Sequence, residues 1–271
     1  MPELPEVETT RRGIEALIGG RTVSGVEIRD RRLRWPVASH LARRLAGQRL
    51  RGVDRRAKYL LFRFDAGTLI LHLGMSGSLR VLLEPIAPGP HDHVDIRFTG
   101  GRCLRLRDPR RFGSLHWTSA PAEHHWLLAE LGPEPLHDAF DGAHLFARAR
   151  GRSVAAKNFI MDSHIVVGVG NIYAAEALHL AGIHPNRAAG RISRDRCAAL
   201  AAAIKAVLAG AIASGGTTLR DFAGADGEPG YFSQHLLVYD REGLPCRCGE
   251  ATIRRNLTGQ RATYYCPRCQ R

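Results

Sequence analysis

The sequence predicts an α+β protein, in which an N-terminal helix and an antiparallel β-sandwich precede a helical region and a short C-terminal β-hairpin. Apolar residues first recur at helical spacing. They then alternate at strand spacing over residues 21–118, and return to helical spacing after a turn-rich stretch at residues 131–135. Four of the six cysteines lie near the C-terminus as two close pairs. These observations indicate two large structural regions and a small cysteine-bearing module.

The N-terminal helix is predicted to start at Pro5, because proline suits the first turn of a helix. The residues of one predicted helix face recur at helical spacing, and Gly19 and Gly20 end this helical segment. The members of that face are Val7, Thr10, Ile14, Leu17 and Ile18.

The strand region shows period-two alternation with a turn at Gly100 and Gly101, and a Pro-rich loop at residues 84–90. Beyond residue 135 the pattern is helical, and residues 215–230 form a glycine-rich segment predicted to be a mobile loop. The predicted strands cover residues 26–28, 59–64, 68–73, 94–98 and 104–106, and the predicted helices cover residues 140–150, 154–161, 171–180 and 194–212. We predict three domains, at residues 1–130, 131–230 and 236–271.

The composition points to a polyanionic partner. The 271 residues carry a formal net charge of +13 and a pI of about 10.2, which is typical of nucleic-acid-binding proteins. The N-terminus is acidic and lacks the apolar core of a secretory signal, and the longest apolar run, residues 198–213, contains Lys205. We therefore expect a soluble intracellular protein without a membrane partner.

The first residues offer chemistry that only a chain terminus provides. Removal of Met1 would leave Pro2 with a free secondary amine, and a terminal amine titrates near pH ~8, so part of it is neutral and nucleophilic at pH 7. Such an amine attacks carbonyl-like carbons to form a charged iminium. Glu3, Glu6 and Glu8 are available as proton donors or acceptors. The alternative is an ordinary capped helix with acids in its first turn.

The C-terminal cysteines predict a zinc site rather than disulfides in an intracellular protein. Because so small a segment buries little apolar surface, a tetrahedral thiolate site would supply its folding energy. The pair Cys266 and Cys269 has C-x2-C spacing, whereas Cys246 and Cys248 are spaced C-x-C, which leaves the role of Cys248 open. Incidental cysteines are the alternative. The arginines around this module, with Tyr264 and Tyr265, indicate a finger that faces phosphates, or else a solvated basic tail.

Two further segments are candidates for DNA contact. Gly168 and Gly170 precede a predicted helix, where free backbone N–H groups and Asn171 could bind an anion, although the P-loop and dinucleotide signatures are absent. Residues 108–113 place an Arg beside an aromatic, which suits insertion into a base stack or an ordinary hairpin turn. Among only three lysines, Lys58 and Lys157 are the better candidates for amine chemistry or phosphate contact.

Taken together, these motifs resemble the bacterial formamidopyrimidine-DNA glycosylase family over the whole chain and in the same order. The motifs are Pro2-Glu3-Leu4-Pro5-Glu6-Val7-Glu8-Thr9, Arg56-Ala57-Lys58-Tyr59, His72-Leu73-Gly74-Met75-Ser76-Gly77, Asp108-Pro109-Arg110-Arg111-Phe112-Gly113, Gly168-Val169-Gly170-Asn171-Ile172-Tyr173 and Gln260-Arg261-Ala262-Thr263. The resemblance implies a β-sandwich domain, a helix-two-turn-helix domain and a C-terminal zinc finger, with DNA bound in a cleft.

The resemblance also implies residue roles. Pro2 is similar to the family's Schiff-base nucleophile and Glu3 to its proton donor in base release. Lys58 is similar to the lysine of β-elimination and phosphate contact, and Arg261 to the finger arginine of δ-elimination. The implied DNA-contact residues are His72, Met75, His91, Arg110, Phe112, Arg152, Lys157 and Asn171, of which Met75, Arg110 and Phe112 fill the gap left by the extruded base. Residues 217–231 resemble the lid over the flipped base.

The implied function is a bifunctional DNA glycosylase and AP lyase of base excision repair that acts on 8-oxoguanine and formamidopyrimidines in damaged double-stranded DNA. One structural Zn²⁺ would be held by Cys246, Cys248, Cys266 and Cys269, and no redox or nucleotide cofactor is required. The protein would be a monomer in the bacterial cytoplasm, associated with the nucleoid when bound to DNA.

Two alternatives remain open at this point. An endonuclease VIII-type glycosylase for oxidised pyrimidines typically reads Pro-Glu-Gly-Pro-Glu, whereas Leu4 stands at the third of these positions here. A non-catalytic zinc-bearing DNA-binding protein has no need of Pro2, Glu3 and Lys58.

Overall fold

The computed structural model describes residues 2–217 and 232–271. Within this part, the chain forms two compact units. The N-terminal unit contains residues 2–129 and 214–217, and the C-terminal unit contains Glu130–Ala213 and Phe232–Arg271. The helices predicted beyond residue 135 and the cysteine module thus belong to one unit, and the division into three domains stays a prediction.

Helix α1 (Leu4–Ile18) begins with the predicted signals. Glu3 is its N-cap, and a capping box joins Glu3 and Glu6 reciprocally, with the Glu3 N–H donating to Glu6 Oε2 at 2.8 Å. Val7, Ile14 and Ile18 are fully buried, as the spacing predicted. The helix ends at Gly19, where a Cβ would lie 2.6 Å from the Glu15 carbonyl oxygen.

The N-terminal unit contains two four-stranded antiparallel sheets. In chain order the strands are β1 (Val23–Ile28), β2 (Leu50–Arg56), β3 (Tyr59–Phe64), β4 (Gly67–His72), β5 (Ser78–Leu82), β6 (Asp92–Phe98), β7 (Arg102–Arg107) and β8 (Ser114–Thr118). One sheet has the order β1-β6-β7-β5 and the other has the order β2-β3-β4-β8. One hydrophobic core contains residues of both sheets and of α1, so the predicted sandwich is confirmed.

Four short elements of this unit were not predicted: β2, β5, β8 and the five-residue helix α2 (Leu41–Leu45). Each carries only a few buried apolar residues between polar or charged ones. The hydrogen bonds that stabilise these strands come from neighbouring strands, and isolated short helices are marginal in water. Local sequence patterns are therefore a weak signal for them.

The C-terminal unit contains four α-helices at the predicted places: α3 (Gly142–Ala149), α4 (Ala156–Met161), α5 (Asn171–Leu180) and α6 (Arg194–Ala213). The last packs against α3 and α5 and buries Leu200, Ile204 and Leu208. Among the described residues, α6 is the one helix long and apolar enough to cross a membrane by length and composition, a test that core helices of soluble proteins also pass.

The chain ends in the predicted hairpin, formed by β9 (Arg254–Thr258) and β10 (Arg261–Tyr265). Its small core joins Cys246, Ile253 and Cys266 to Ala175 of α5. Glu176, which is 2% exposed, accepts hydrogen bonds from the backbone N–H groups of Leu237, Val238 and Tyr239 at 2.8–3.0 Å. These bonds hold the segment before the hairpin on α5.

Candidate active site and nucleic-acid interface

The predicted nucleophile and proton donor lie at the head of α1. Pro2 is buried and directly precedes Glu3, which is 2% exposed. Because Glu3 is the N-cap, its carboxylate lies at the positive end of the helix. This places Pro2, whose nitrogen would become a secondary amine on removal of Met1, directly beside a buried carboxylate.

Glu6 connects this helix head to the start of the predicted lid. Its side chain is fully buried, and one carboxylate oxygen accepts the Glu3 N–H while the other accepts the backbone N–H of Thr217 at 2.9 Å. Residues 218–231, the remainder of the predicted lid, lie outside the described residues. The contact fixes only the first residue of that segment.

Lys58 lies in the two-residue turn between β2 and β3, where Arg56 pairs with Tyr59. Ala57, the other turn residue, has a left-handed φ of +55°, which is uncommon for a residue other than glycine. The turn therefore gives Lys58 a well-defined backbone position at the end of the sheet.

His72 lies beside this turn. It pairs with Tyr59 across β3 and β4, and the two ring centroids are 4.8 Å apart. Its Nδ1 accepts the Gly74 N–H at 3.0 Å, so the neutral ring carries its proton on Nε2. Burial, together with the charges of Lys58 and Arg34, lowers the pKa of His72 to about 4. The imidazole is therefore a neutral donor at physiological pH.

The two predicted wedge segments are joined through their backbones. Gly74 has φ +67°, and a Cβ at this position would lie 2.3 Å from the Phe112 carbonyl carbon. Asp108, which is fully buried, accepts from the Ser76 hydroxyl at 3.0 Å and from the Gly113 N–H at 2.7 Å. Only glycine allows so close an approach, and the carboxylate fixes both turns together.

Two large apolar side chains at these turns are exposed. Met75 is 40% exposed and Phe112 43% exposed, and the Arg110 guanidinium lies 5.0 Å from the Phe112 ring centroid. His91 is near the same turn, because its carbonyl accepts the Asp108 N–H at 3.0 Å. The structure thus brings Met75, His91, Arg110 and Phe112 to one surface.

A second group of predicted residues meets in the C-terminal unit. Gly259 and Gln260 have φ of +54° and +63°, as a type I′ hairpin turn requires, and exposed Arg261 follows directly. Lys157 Nζ and Asn171 Nδ2 both donate to the carbonyl oxygen of Ala262, at 2.9 and 3.1 Å. Ala262, which follows Arg261, is therefore held by α4 and by the first residue of α5.

Lys157 and Arg152 differ in accessibility. Lys157 is fully buried, and its Nζ also donates to Thr263 Oγ1 at 2.7 Å, so in this structure it supports the hairpin from inside. Arg152 is exposed and lies near the Phe159 ring. A direct phosphate contact of either residue stays a prediction.

The four C-terminal cysteines form one cluster. Their sulfur atoms all lie within 4.8 Å of one another, with 3.8 Å between Cys246 and Cys269 and 3.9 Å between Cys248 and Cys266. A tetrahedral site with metal–sulfur bonds of ~2.3 Å requires sulfur separations of about 3.8 Å, so the cluster fits such an ion. Each residue could therefore be a metal ligand.

The shortened spacing of the first pair is accommodated by a tight turn. Gly249, at φ +73°, donates its N–H to the Cys246 carbonyl oxygen at 3.0 Å, and this turn directs Cys248 toward the cluster. A hydrogen bond from the Glu250 backbone lowers the pKa of the Cys248 thiol to about 7. The thiolate needed for metal binding is accessible at this position.

Sequence reasoning assigned no specific role to Glu6, Asp108 or Glu176, which organise the helix head, the wedge turns and the hairpin base. Arg34 was missed entirely, although its charge acts on His72 and Tyr59. The Asp-Pro pair at residues 108–109 was a usable turn signal. No local signal marks Glu176, because its three donors lie about sixty residues away along the chain.

The geometry can be compared with known proteins. Residues 1–115 match the model of the formamidopyrimidine-DNA glycosylase N-terminal domain, and residues 131–223 match that of the formamidopyrimidine-DNA glycosylase H2TH domain. The chain belongs to the formamidopyrimidine-DNA glycosylase family. The predicted resemblance is thereby confirmed, as is the helix-two-turn-helix region.

Individual members of the family agree over full length. The formamidopyrimidine-DNA glycosylases of Methylococcus capsulatus and Alkalilimnicola ehrlichii are 62% and 61% identical, each with full coverage of both chains. The crystal structure of the Thermus thermophilus MutM (Fpg) protein superposes with a TM-score of 0.89 at 40% identity, covering 99% of this chain and 98% of that one.

A formamidopyrimidine-DNA glycosylase from Lactococcus lactis also superposes closely. Its complex with abasic-site DNA has a TM-score of 0.92 at 33% identity and covers 99% of both chains. A Lactococcus lactis Fpg mutant was solved with Fapy-dG-containing DNA, with a TM-score of 0.92 at 32% identity and full coverage. These family members share the whole fold.

Proposed function

We propose that this protein excises oxidised purines, chiefly 8-oxoguanine and formamidopyrimidines, from damaged duplex DNA and then cleaves the strand as an AP lyase. The observation that carries the proposal is the buried pair of Pro2 and Glu3 at the head of α1. A pure DNA-binding protein needs neither a closed site nor a terminal secondary amine.

Pro2 is the nucleophile in this proposal. Its amine attacks the sugar C1′ while Glu3 donates a proton that assists sugar opening and base departure. The resulting iminium acidifies the C2′ proton, so that β-elimination and then δ-elimination release the strand. Lys58 acts in the first elimination and Arg261 in the second.

The wedge turns explain how the C1′ atom becomes accessible. A base inside a stacked duplex is unreachable, and extrusion costs a few kcal/mol. Met75, Arg110 and Phe112 lie together on an exposed surface, and their side chains would fill the gap in the stack. His91 and neutral His72, beside these residues, would contact the backbone.

The C-terminal unit supplies further DNA contacts. Arg261 at the hairpin tip, together with Arg152 and Asn171, would contact phosphates, and Lys157 supports the hairpin through Ala262 and Thr263. We assign one structural Zn²⁺ to Cys246, Cys248, Cys266 and Cys269. Bound there, the ion would hold the hairpin and so the position of Arg261.

The protein would act as a monomer in the bacterial cytoplasm, on nucleoid DNA. Leu4 favours this substrate class over the oxidised pyrimidines of the endonuclease VIII type. The four-sulfur cluster alone would also suit a non-catalytic DNA-binding protein, so the decisive experiment must detect chemistry.

Borohydride reduction provides that experiment. The wild-type protein should form a covalent complex with a duplex containing 8-oxoguanine, and Pro2→Gly or a residue added before Pro2 should abolish it. Glu3→Gln should lower excision by ~10²–10⁴-fold while DNA binding persists, because the amide oxygen still accepts the helix-cap hydrogen bond. Full activity with a blocked terminus would refute the mechanism, and a preference for an oxidised-pyrimidine duplex would refute the substrate class.

A further inference from the structure

The Arg55 side chain links the turn that carries Lys58 to helix α1. Arg55, the residue two positions before Ala57, donates from Nη1 to the Ala57 carbonyl oxygen at 3.1 Å. Its Nε donates to Glu8 Oε2 of α1 at 3.2 Å. One guanidinium thus connects the first turns of α1 to the β2–β3 turn.

This connection is buried and charged. The Glu8 and Arg55 side chains are 12% and 11% exposed. Glu8 also accepts from Arg12 Nε at 2.9 Å and from Arg11 Nη2 at 3.0 Å. Burial acts to raise the pKa of Glu8, but hydrogen bonds from Arg11 and Arg12 and the charge of Arg55 outweigh it and lower the pKa below its usual range. Glu8 is thus an anion throughout the neutral range.

The turn needs such a restraint. The left-handed region is unfavourable for an L-residue, and such conformations persist only where surrounding contacts impose them. Ala57, at φ +55°, is in this state, and Lys58 follows it directly. A change in Ala57 would therefore move the Lys58 backbone.

We infer that Glu8 is a positioning residue for Lys58, acting through Arg55 and the Ala57 carbonyl to hold Lys58 in register with the helix head that carries Pro2. The inference rests on the proposed function, in which Pro2 forms the iminium and Lys58 acts in β-elimination. Glu8 itself touches no substrate. Its loss should impair elimination and spare iminium formation.

The experiment separates the two steps on a duplex with one abasic site. Borohydride trapping reports iminium formation at Pro2, and single-turnover strand cleavage reports elimination. Glu8→Gln should leave trapping within about twofold and slow cleavage about tenfold, the factor that ~1.4 kcal/mol produces. Glu8→Asp, which keeps the anion, should restore most of the cleavage rate.

Glu15→Gln is the matched control. Glu15 also lies on α1, pairs with Arg11 and accepts the Val53 N–H at 3.2 Å, but it has no bond to Arg55 or Ala57 among those described. It should lower thermal stability without changing the ratio of cleavage to trapping. If Glu8→Gln does not fold, Arg55→Lys serves instead, because one ammonium cannot reproduce two donors on separate nitrogens.

Three results would overturn the inference alone: normal cleavage by both Glu8→Gln and Arg55→Lys, equal slowing of trapping and cleavage, or the same slowing in Glu15→Gln. A wild-type protein that forms no trapped complex overturns the proposed function and this inference with it. A normal trapping rate with slowed cleavage in Glu8→Gln and Arg55→Lys supports both.

Discussion

At the scale of single residues, burial decides the chemistry of the candidate site. Glu3 and Glu6 are the reciprocal partners of the helix cap, and Glu6 is fully buried. Burial and the charges of Lys58 and Arg34 lower the pKa of His72, so its imidazole is neutral near pH 7 and can donate from Nε2.

The lowered pKa of His72 predicts acid sensitivity. Its pKa is about 4 in the folded protein against about 6.5 in the unfolded chain. Between these values the unfolded chain binds more protons, so stability is full above pH ~6.5 and falls as the pH decreases toward ~4. His72→Gln should reduce the slope of unfolding free energy in this window by up to ~1.4 kcal/mol per pH unit.

Urea unfolding from pH 4 to 8 measures this slope. His137→Gln is a suitable comparison, since His137 lies in the other unit. An identical slope in wild type and His72→Gln would show that the imidazole is not the group responsible.

At the scale of elements, the hairpin that carries Arg261 is supported by polar contacts from two helices. Lys157 and Asn171 both donate to Ala262, and the hairpin turn rests on Asn158, where a Cβ at Gly259 would lie 2.6 Å from the Asn158 amide nitrogen. Glu176 holds the preceding segment. The element is thus fixed at its tip, at its base and at the cysteine cluster.

Lys157→Met should destabilise the protein by about 1–3 kcal/mol, because the buried Thr263 Oγ1 loses the Lys157 donor and the Ala262 carbonyl oxygen keeps only that of Asn171. It should also weaken DNA binding to the extent that Arg261→Ala does, since the same hairpin is displaced. Lys205→Met is the matched control: Lys205 Nζ donates to the His137 carbonyl oxygen at an exposed site, and its loss should cost within about 0.5 kcal/mol. Equal stability losses in the two variants would contradict the buried role.

The cysteine cluster predicts one zinc per chain by metal analysis. A strong chelator should remove it and weaken lesion-DNA binding, while the N-terminal unit stays folded because its core shares no residue with the cluster. Cys248→Ser should lower zinc occupancy and DNA affinity together. Cys103→Ser, at a cysteine outside the cluster, should change neither. Retained zinc in Cys248→Ser would remove that residue from the ligand set.

At the scale of the whole molecule, charge governs association with DNA. A net charge of +13, with 39 lysines and arginines, attracts a polyanion such as DNA over long distances. With ~6–10 phosphate contacts, affinity should fall by about 10³–10⁵ between 50 and 200 mM salt. Titrations of labelled duplex at several salt concentrations give the number of contacts.

Each lost phosphate contact should reduce the slope of log binding constant against log salt concentration by about 0.9. Arg261→Gln and Arg152→Gln are expected to do so, one unit each. Arg51→Gln, at an exposed arginine paired with Asp65 at the far end of β2 from Lys58, should not. If all three variants change the slope equally, DNA is attracted by the overall positive charge rather than bound through the proposed phosphate contacts.

The sequence alone determined much of this organisation, because local patterns encode it. Strand β3, helix α5 and helix α6 were predicted within a residue or two, since periodicity and flanking glycines act over a few neighbours. The terminal Pro2-Glu3 pair and the cysteine pairs were recognisable from residue type and spacing. The motifs, in their order, also sufficed to indicate the family.

Tertiary structure alone decided the features that depend on distant partners. Lys157 meets Ala262, 105 residues further along, and Glu8 meets Arg55, 47 residues further along. No periodicity marks such pairs, so the burial of Lys157 and the support of the Lys58 turn were not predictable. The placement of the Cys248 sulfur was likewise settled only by the path of the hairpin that brings Cys266 to within 3.9 Å. Side-chain chemistry and local backbone geometry depend on neighbouring residues in the sequence. The burial of a side chain and its contacts with distant residues arise only when separate elements pack together.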